Sequence, residues 1–233
     1  MSSSPLLIGH QGWPARYPGN TLAGFVTALA HVDGFELDVR RSKDGKLVLA
    51  HDPMIGPLVV ADTPWSVLAE VDLGGGHRPA LLDETLAALP GIPIQIEVKN
   101  DPMQPGYEAD HRIGLEAAER ARPGDTVTSF NWGTMARVRR IFPDVATGII
   151  LTAFHDLEGG FDHCLELGHR LLVPDRSLIR DSVAAMAGEV MITPWTVNDL
   201  EIAVELVSLG VSGIITDEAL KLSPIRSPDE HSG

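Results

Sequence analysis

The sequence predicts an α/β fold: a closed barrel of eight parallel strands alternating with helices, carrying a β-hairpin after its second strand. Three observations lead there. The 233-residue length falls within the roughly 200 to 250 residues that such a barrel takes as one domain. Short apolar runs alternate with helix-like stretches along the whole chain, the rhythm of strands joined by crossover helices. The link Lys43-Asp44-Gly45-Lys46 is also too short to carry a parallel crossover, so one of nine candidate strands must be an antiparallel return.

In chain order the candidate strands are Leu6–Ile8, Phe35–Val39, Leu47–His51, Ile94–Val98, Thr126–Ser129, Thr147–Leu151, Arg170–Pro174, Val190–Pro194 and Gly213–Thr216. Helix-like stretches are Asn20–His31, starting on an Asn cap, then Asp83–Leu89, Arg112–Ala121, Thr134–Ile141, Leu178–Ala187 and Asn198–Leu209. Asp44-Gly45 is a two-residue hairpin signal, so Leu47–His51 returns antiparallel and eight parallel strands remain. That count fits a TIM-type (βα)8 barrel; an open doubly wound sheet is the alternative. One catalytic domain is expected over residues 1–222, with a reduced insertion at 53–93 in which Gly74-Gly75-Gly76 forms a flexible surface loop. The polar stretch 223–233, with two prolines, is expected to be a mobile tail.

Composition excludes several classes of function. A formal charge of −14 argues against nucleic acid and against stable association with anionic membranes, both of which need a basic field. No apolar run is long enough to span a bilayer, and the amino terminus lacks the pattern of a secretory signal. Cys164 is the only cysteine, which excludes internal disulfides, fits a reducing cytoplasm, and is best read as packing. An anionic substrate would need local positive charge, which a bound metal can supply.

Side chains alternate along a strand, so Glu36, Asp38 and Arg40 share one face of the second strand while Phe35, Leu37 and Val39 share the other. In the fourth candidate strand Gln95, Glu97 and Lys99 oppose Ile94, Ile96 and Val98 in the same way. The apolar sets should pack under the helices and leave the charged sets inside the barrel, which bulky apolar residues normally fill. Buried carboxylates are costly unless paired or bound to a cation. Three of them without a thiolate favour a hard cation, Mg²⁺ or Ca²⁺. With Asp44-Gly45 as a two-residue loop, Lys43 pairs with Lys46, Arg40 with Leu49 and Asp38 with His51. His10 ends the first strand on the same rim, and two histidines near neutrality suit an acid–base pair.

The chain resembles the glycerophosphodiester phosphodiesterase family, within the superfamily of phosphatidylinositol-specific phospholipases C. The resemblance is carried in order by His10-Gln11-Gly12, Pro18-Gly19-Asn20-Thr21, Glu36-Leu37-Asp38-Val39, His51-Asp52, Pro79-Ala80-Leu81-Leu82-Asp83-Glu84, Glu97-Val98-Lys99, Ser129-Phe130-Asn131, Trp195-Thr196-Val197-Asn198 and Gly213-Ile214-Ile215-Thr216-Asp217. It implies one divalent cation held by Glu36, Asp38 and Glu97, with His10 and His51 as acid and base. It also implies phosphate contact from Lys99, Trp195 against glycerol, and Gln11 at the substrate, with glycerophosphodiesters cleaved to sn-glycerol 3-phosphate and an alcohol. Two departures stand out: Gln11 where the family usually has Arg, and Gly19 where it usually has Glu. They leave open an enzyme for lysophospholipids or another diester, and a non-catalytic binder of phosphate esters.

Overall fold

In the computed structural model, which describes residues 4–226, the strands close into a ring of eight. Those of the ring are β1 (Leu6–His10), β2 (Gly34–Arg41), β6 (Ile94–Val98), β7 (Thr126–Ser129), β8 (Ala146–Leu151), β9 (Leu171–Pro174), β10 (Met191–Ile192) and β11 (Gly213–Thr216). They lie in the parallel order β10-β9-β8-β7-β6-β2-β1-β11. The amide of Ser212 donates to Ile192 O at 2.8 Å and that of Ile215 to Pro194 O at 3.1 Å, which joins the two ends of the sequence of strands. β3 (Leu47–Leu49) pairs antiparallel with β2 alone, and a small hairpin of β4 (Met54–Ile55) and β5 (Leu58–Val59) follows it. The expected eight parallel strands and one return are therefore present.

Alternation sorts the side chains as the sequence implies. Phe35, Leu37, Val39, Ile94, Ile96 and Val98 join the main core beneath the helices. A separate cluster of Ile8, Ile150, Leu171, Val173 and Ile215 fills the barrel interior, with bulky residues drawn from β1, β8, β9 and β11. β2 and β6 contribute no apolar residue to that interior cluster. They supply Glu36, Asp38, Gln95 and Glu97 instead, all buried.

The hairpin register is shifted by one residue from the expected one. Val39 pairs with Leu49, Arg40 with Val48 and Arg41 with Leu47, so Ala50, not His51, stands opposite Asp38. The loop has three residues rather than two. Ser42 N bonds Lys46 O, Gly45 N bonds Ser42 O, and Gly45 takes φ +82, a turn closed by a left-handed residue. Ser42 Oγ, bonded to Asp44 Oδ1 and accepting the Lys46 amide, holds the wider loop.

Helix boundaries differ for identifiable reasons. The first helix, α1 (Leu22–Ala28), is capped by Thr21, whose side chain accepts the Gly24 amide. Asn20 sits at φ +60 with its amide committed to Asp38. The expected helix Leu178–Ala187 is only a 3₁₀ turn at Arg176–Leu178 and one helical turn at Ala184–Ala187. A helix at Leu157–Leu167, which the sequence reading did not identify, starts on Asp156 and ends at Gly168 in the left-handed region. Its Gly159-Gly160 pair disguises it. Gly160 is needed there, since a β-carbon would lie 2.8 Å from Leu151 on β8. Residues 223–226 of the expected tail form a 3₁₀ turn with Ile225 buried and Arg226 bonded to Asp33; the rest of that tail lies outside the described residues. Cys164 is buried, with its thiol pushed up to about 12 by burial, as a packing residue should be.

His169 gives the fold an acid sensitivity. It is buried, bonds Thr147 Oγ1 at 2.8 Å and stacks on His163 at 5.8 Å, with Nε2 unpartnered. Burial, then His163 and Arg139, lower its pKa to about 4 from 6.5. The unfolded chain therefore binds the proton first, so this contribution to stability is whole above pH 6.5 and is lost as pH falls towards 4. His169→Asn keeps a partner for Thr147 and does not titrate. Its deficit in thermal midpoint relative to wild type should shrink between pH 7 and pH 4; a deficit that stays constant would rule the titration out.

Candidate active site

The carboxyl ends of β1, β2 and β6 bring their polar side chains to one mouth of the barrel, the face where parallel barrels place chemistry. Parallel pairing sets Asp38 beside Glu97 and His10 beside Glu36. One oxygen from each of Glu36, Asp38 and Glu97 lies within 4.8 Å of the others. Burial, then the charge of Asp38, raises the Glu36 carboxyl well above its usual range. Burial likewise raises Glu97, with Asp38 adding to the effect. Asp38 goes down despite burial, because Lys99, His51 and the Asn20 amide favour its anion. Asn20 Nδ2 donates to Asp38 Oδ2 at 2.8 Å and its Oδ1 accepts the Asp38 amide at 3.2 Å.

This cluster suits a hard divalent cation. Glu36 Oε1 is buried with no hydrogen-bond partner. Asp38 Oδ1 and Glu97 Oε1 meet only the Lys99 ammonium, at 2.8 and 2.5 Å. Crowding with Asp38 adds to burial in opposing ionisation of Glu36 and Glu97, a cost that a bound cation would relieve, and an oxygen-only donor set matches Mg²⁺ or Ca²⁺. Lys99 keeps its proton firmly: burial opposes the charge, but Glu97 and Asp38 outweigh it.

His10 is oriented from behind. Its Nδ1 donates to Asp217 Oδ1 at 2.7 Å, while Nε2 lies 3.8 Å from Glu36 Oε2. Burial works against its charge, yet the Asp217 bond and the Glu36 charge raise it to about 9. Asp217 is fixed in turn by Asn198, whose Nδ2 donates to Oδ2 at 2.7 Å. Asp217 and Asn20 were not singled out as site residues from sequence, although both stand in the motifs that carry the resemblance. The available signal was position: Asp217 directly follows β11, and Asn20 takes a left-handed conformation that Asn tolerates.

His51 reaches the site without the expected register, bonded through Nδ1 to Asp52 at 2.9 Å. Two cavities meet at the acidic cluster. One of about 330 Å³ opens into the barrel and is bordered by His10, Glu36, His51, Glu97, Lys99 and Trp195. The other, about 660 Å³, lies outside it between the loops after β3, β6, β7 and β8, and includes Arg40, Asp101, Tyr107 and Trp132. His51, Glu97, Lys99 and Phe130 border both. Trp195 is held by its Nε1 bond to Leu151 O at 3.2 Å and an edge contact with Phe130 at 5.6 Å.

The two departures from the family pattern touch each other. A β-carbon on Gly19 would lie 2.4 Å from Gln11 Oε1, so the Gln11 side chain folds over space that Gly19 leaves open. Gln11 takes φ +51, its amide donates to Glu36 O at 2.9 Å, and its Nε2 comes 3.4 Å from His10 Nε2.

The model of the glycerophosphoryl diester phosphodiesterase family matches residues 10–221. The glycerophosphodiester phosphodiesterase of Bacillus altitudinis is 28% identical over 230 residues, covering 91% of this chain and 94% of that protein. The enzyme of the same name from Caldanaerobacter subterraneus subsp. tengcongensis is 28% identical over 231 residues, with 91% and 94% covered. Among solved structures, an Oleispira antarctica phosphodiesterase in complex with the product sn-glycerol-3-phosphate superposes with a TM-score of 0.83. That match has 20% identity and covers 95% of this chain and 96% of that one, a likeness of fold.

Proposed function

Because this chain belongs to the glycerophosphoryl diester phosphodiesterase family, we propose that it hydrolyses glycerophosphodiesters to sn-glycerol 3-phosphate and an alcohol, using a divalent cation and two histidines. The observation that carries this reading is the buried cluster Glu36, Asp38 and Glu97 set between His10 and His51 at a barrel mouth. Glu36, Asp38 and Glu97 would hold Mg²⁺ or Ca²⁺, which when bound supplies positive charge to the phosphate and favours ionisation of a nearby hydroxyl. Lys99, between two of the carboxylates, adds charge on the same side of the substrate.

The glycerophosphoryl part fits the 330 Å³ cavity, where Trp195 presents an apolar wall to the glycerol carbons. The leaving alcohol extends into the 660 Å³ cavity. His10 borders only the smaller cavity and is backed by Asp217; a cation held by Glu36 would offset the carboxylate charge that raises His10, freeing its imidazole to take the proton from the glycerol 2-hydroxyl. That oxygen attacks phosphorus, and the bond to the alcohol oxygen breaks. His51, which borders both cavities, protonates the departing alcohol. Water then opens the resulting cyclic phosphate, with the proton roles reversed, and sn-glycerol 3-phosphate is released. Gln11, beside His10, offers an amide to the phosphate but no charge, so phosphate binding leans on Lys99 and the cation.

A panel of glycerophosphodiesters, lysophospholipids and simple aryl phosphodiesters, assayed with and without chelator, tests the reading. Glycerophosphodiesters should turn over only with Mg²⁺ or Ca²⁺ restored, faster than lysophospholipids. Preferred cleavage of lysophospholipids would move the substrate class, and chelator-resistant turnover would remove the cation from the reaction.

A further inference from the structure

We propose that Arg40 is a positioning residue that delivers His51 to the reacting phosphate by clamping the backbone where the chain leaves β3. This inference rests on the catalytic role assigned to His51. Leu47 and Leu49 point into the main core, while Val48 and Ala50 join the cluster beneath β4 and β5. Continued alternation would send the residue after Ala50 to the side of Leu47 and Leu49. In register it would stand opposite Leu37, away from Glu36 and Asp38. His51 nevertheless borders both cavities of the site. The chain must therefore abandon strand geometry after the last ladder bond, Ala50 N to Asp38 O at 3.1 Å.

That departure needs something to hold it. The His51 side chain is 55% exposed and cannot be fixed by packing. Its backbone carbonyl, however, accepts two bonds from Arg40, from Nε at 3.1 Å and Nη2 at 2.7 Å. The same Nη2 donates to Gln104 Oε1 at 2.7 Å, tying the loop after β6 to the loop after β3. Arg40 is only 5% exposed, and its side-chain hydrogen bonds go to the His51 carbonyl and the Gln104 side chain. Its guanidinium is spent on neutral acceptors, although several carboxylates lie near. A planar fork that reaches one carbonyl with two nitrogens and a second loop with one of them is a task for arginine, which a lysine ammonium cannot repeat.

The test combines kinetics, a double-mutant cycle and amide hydrogen exchange on the full chain. Arg40→Met should lower kcat by about 10- to 100-fold, the size of a lost charge-assisted hydrogen bond, with KM changed less than about threefold. In a His51→Ala background the same change should cost less than about threefold, because the residue it positions is gone. Exchange at the Ala50 and Val60 amides, which donate to Asp38 O and Pro53 O on either side of His51, should quicken by about tenfold or more while the strands of the barrel stay protected. A full loss persisting in the His51→Ala background, or a large rise in KM, would show that Arg40 instead binds the phosphate itself and would overturn the proposal. Unchanged exchange at Ala50 and Val60 would overturn it equally. If Arg40→Met fails to fold, Gln104→Ala removes the outer anchor of the same fork. It should lower kcat severalfold, again only when His51 is present, and a loss independent of His51 would refute the clamp. Absence of turnover in the wild type would sink the functional reading, while the exchange measurement would still decide whether Arg40 holds the loop.

Discussion

Glu36→Gln should abolish cation binding and nearly all turnover while leaving the cation-free protein at least as stable as wild type. Glu36 Oε1 is buried without a hydrogen-bond partner, and burial and Asp38 both oppose ionisation of its carboxyl. An amide of the same shape removes one of three crowded like charges and keeps the packing, so the empty fold loses little. The holo protein loses much more. A cation present at about 100 times its dissociation constant stabilises the fold by about 2.7 kcal/mol. In a domain of this size that raises the thermal midpoint by about 5 to 10 °C. Wild type should show that rise with Mg²⁺ or Ca²⁺, and Glu36→Gln should not. Turnover should drop by more than about 10²-fold, beyond the cost of disturbing an outer partner of a metal ligand. A variant that keeps both the cation-dependent rise and most of its activity would show that Glu36 is not a ligand.

The sequence carried the fold and the acidic centre because both follow from alternation along single strands. Glu36-Leu37-Asp38-Val39 and Ile96-Glu97-Val98 each state which residues face the interior, and parallel pairing of Asp38 with Glu97 completes the cluster without any loop geometry. His10 was legible on the same ground, as the last residue of β1. His51 was legible as a site residue but not by the route used. Asp44-Gly45 announces a hairpin, yet whether its loop has two residues or three depends on Ser42 Oγ accepting the Lys46 amide, a side-chain contact that no periodicity records. A shift of one residue reverses every face. The correct partner of His51 is therefore the Arg40 guanidinium at its carbonyl rather than Asp38 across the ladder. Asp217 and Asn20 were missed as site residues because each acts through a partner far away in sequence, 207 residues for His10 and 18 for Asp38. Gln11 and Gly19 read as two separate losses in sequence, whereas in space they share one volume.

His10→Ala and His51→Ala should each remove about 10² to 10⁴ of the rate, with cation affinity nearly unchanged, and the double variant should be scarcely worse than either single one. Neither imidazole is needed to hold the ion, since Glu36, Asp38 and Glu97 already supply three oxygens within 4.8 Å of one another. His10 Nδ1 is committed to Asp217 and Nε2 stands 3.8 Å from Glu36 Oε2. Its loss leaves Asp217 bonded to Asn198 and the carboxylates in place. His51 is half exposed, so its removal costs the fold little. In the proposed mechanism the two act in one proton circuit, in which the base frees the attacking hydroxyl and the acid releases the alcohol, so removing one member would forfeit most of what the pair provides. An aryl diester with a good leaving group separates the roles. Its leaving oxygen needs no proton, so His51→Ala should recover much of its rate on that substrate, while His10→Ala should not. The reverse pattern would exchange the assignments. Fully additive losses, or a weakened cation-dependent rise in thermal midpoint in either single variant, would mean that the histidines do not form the acid–base pair.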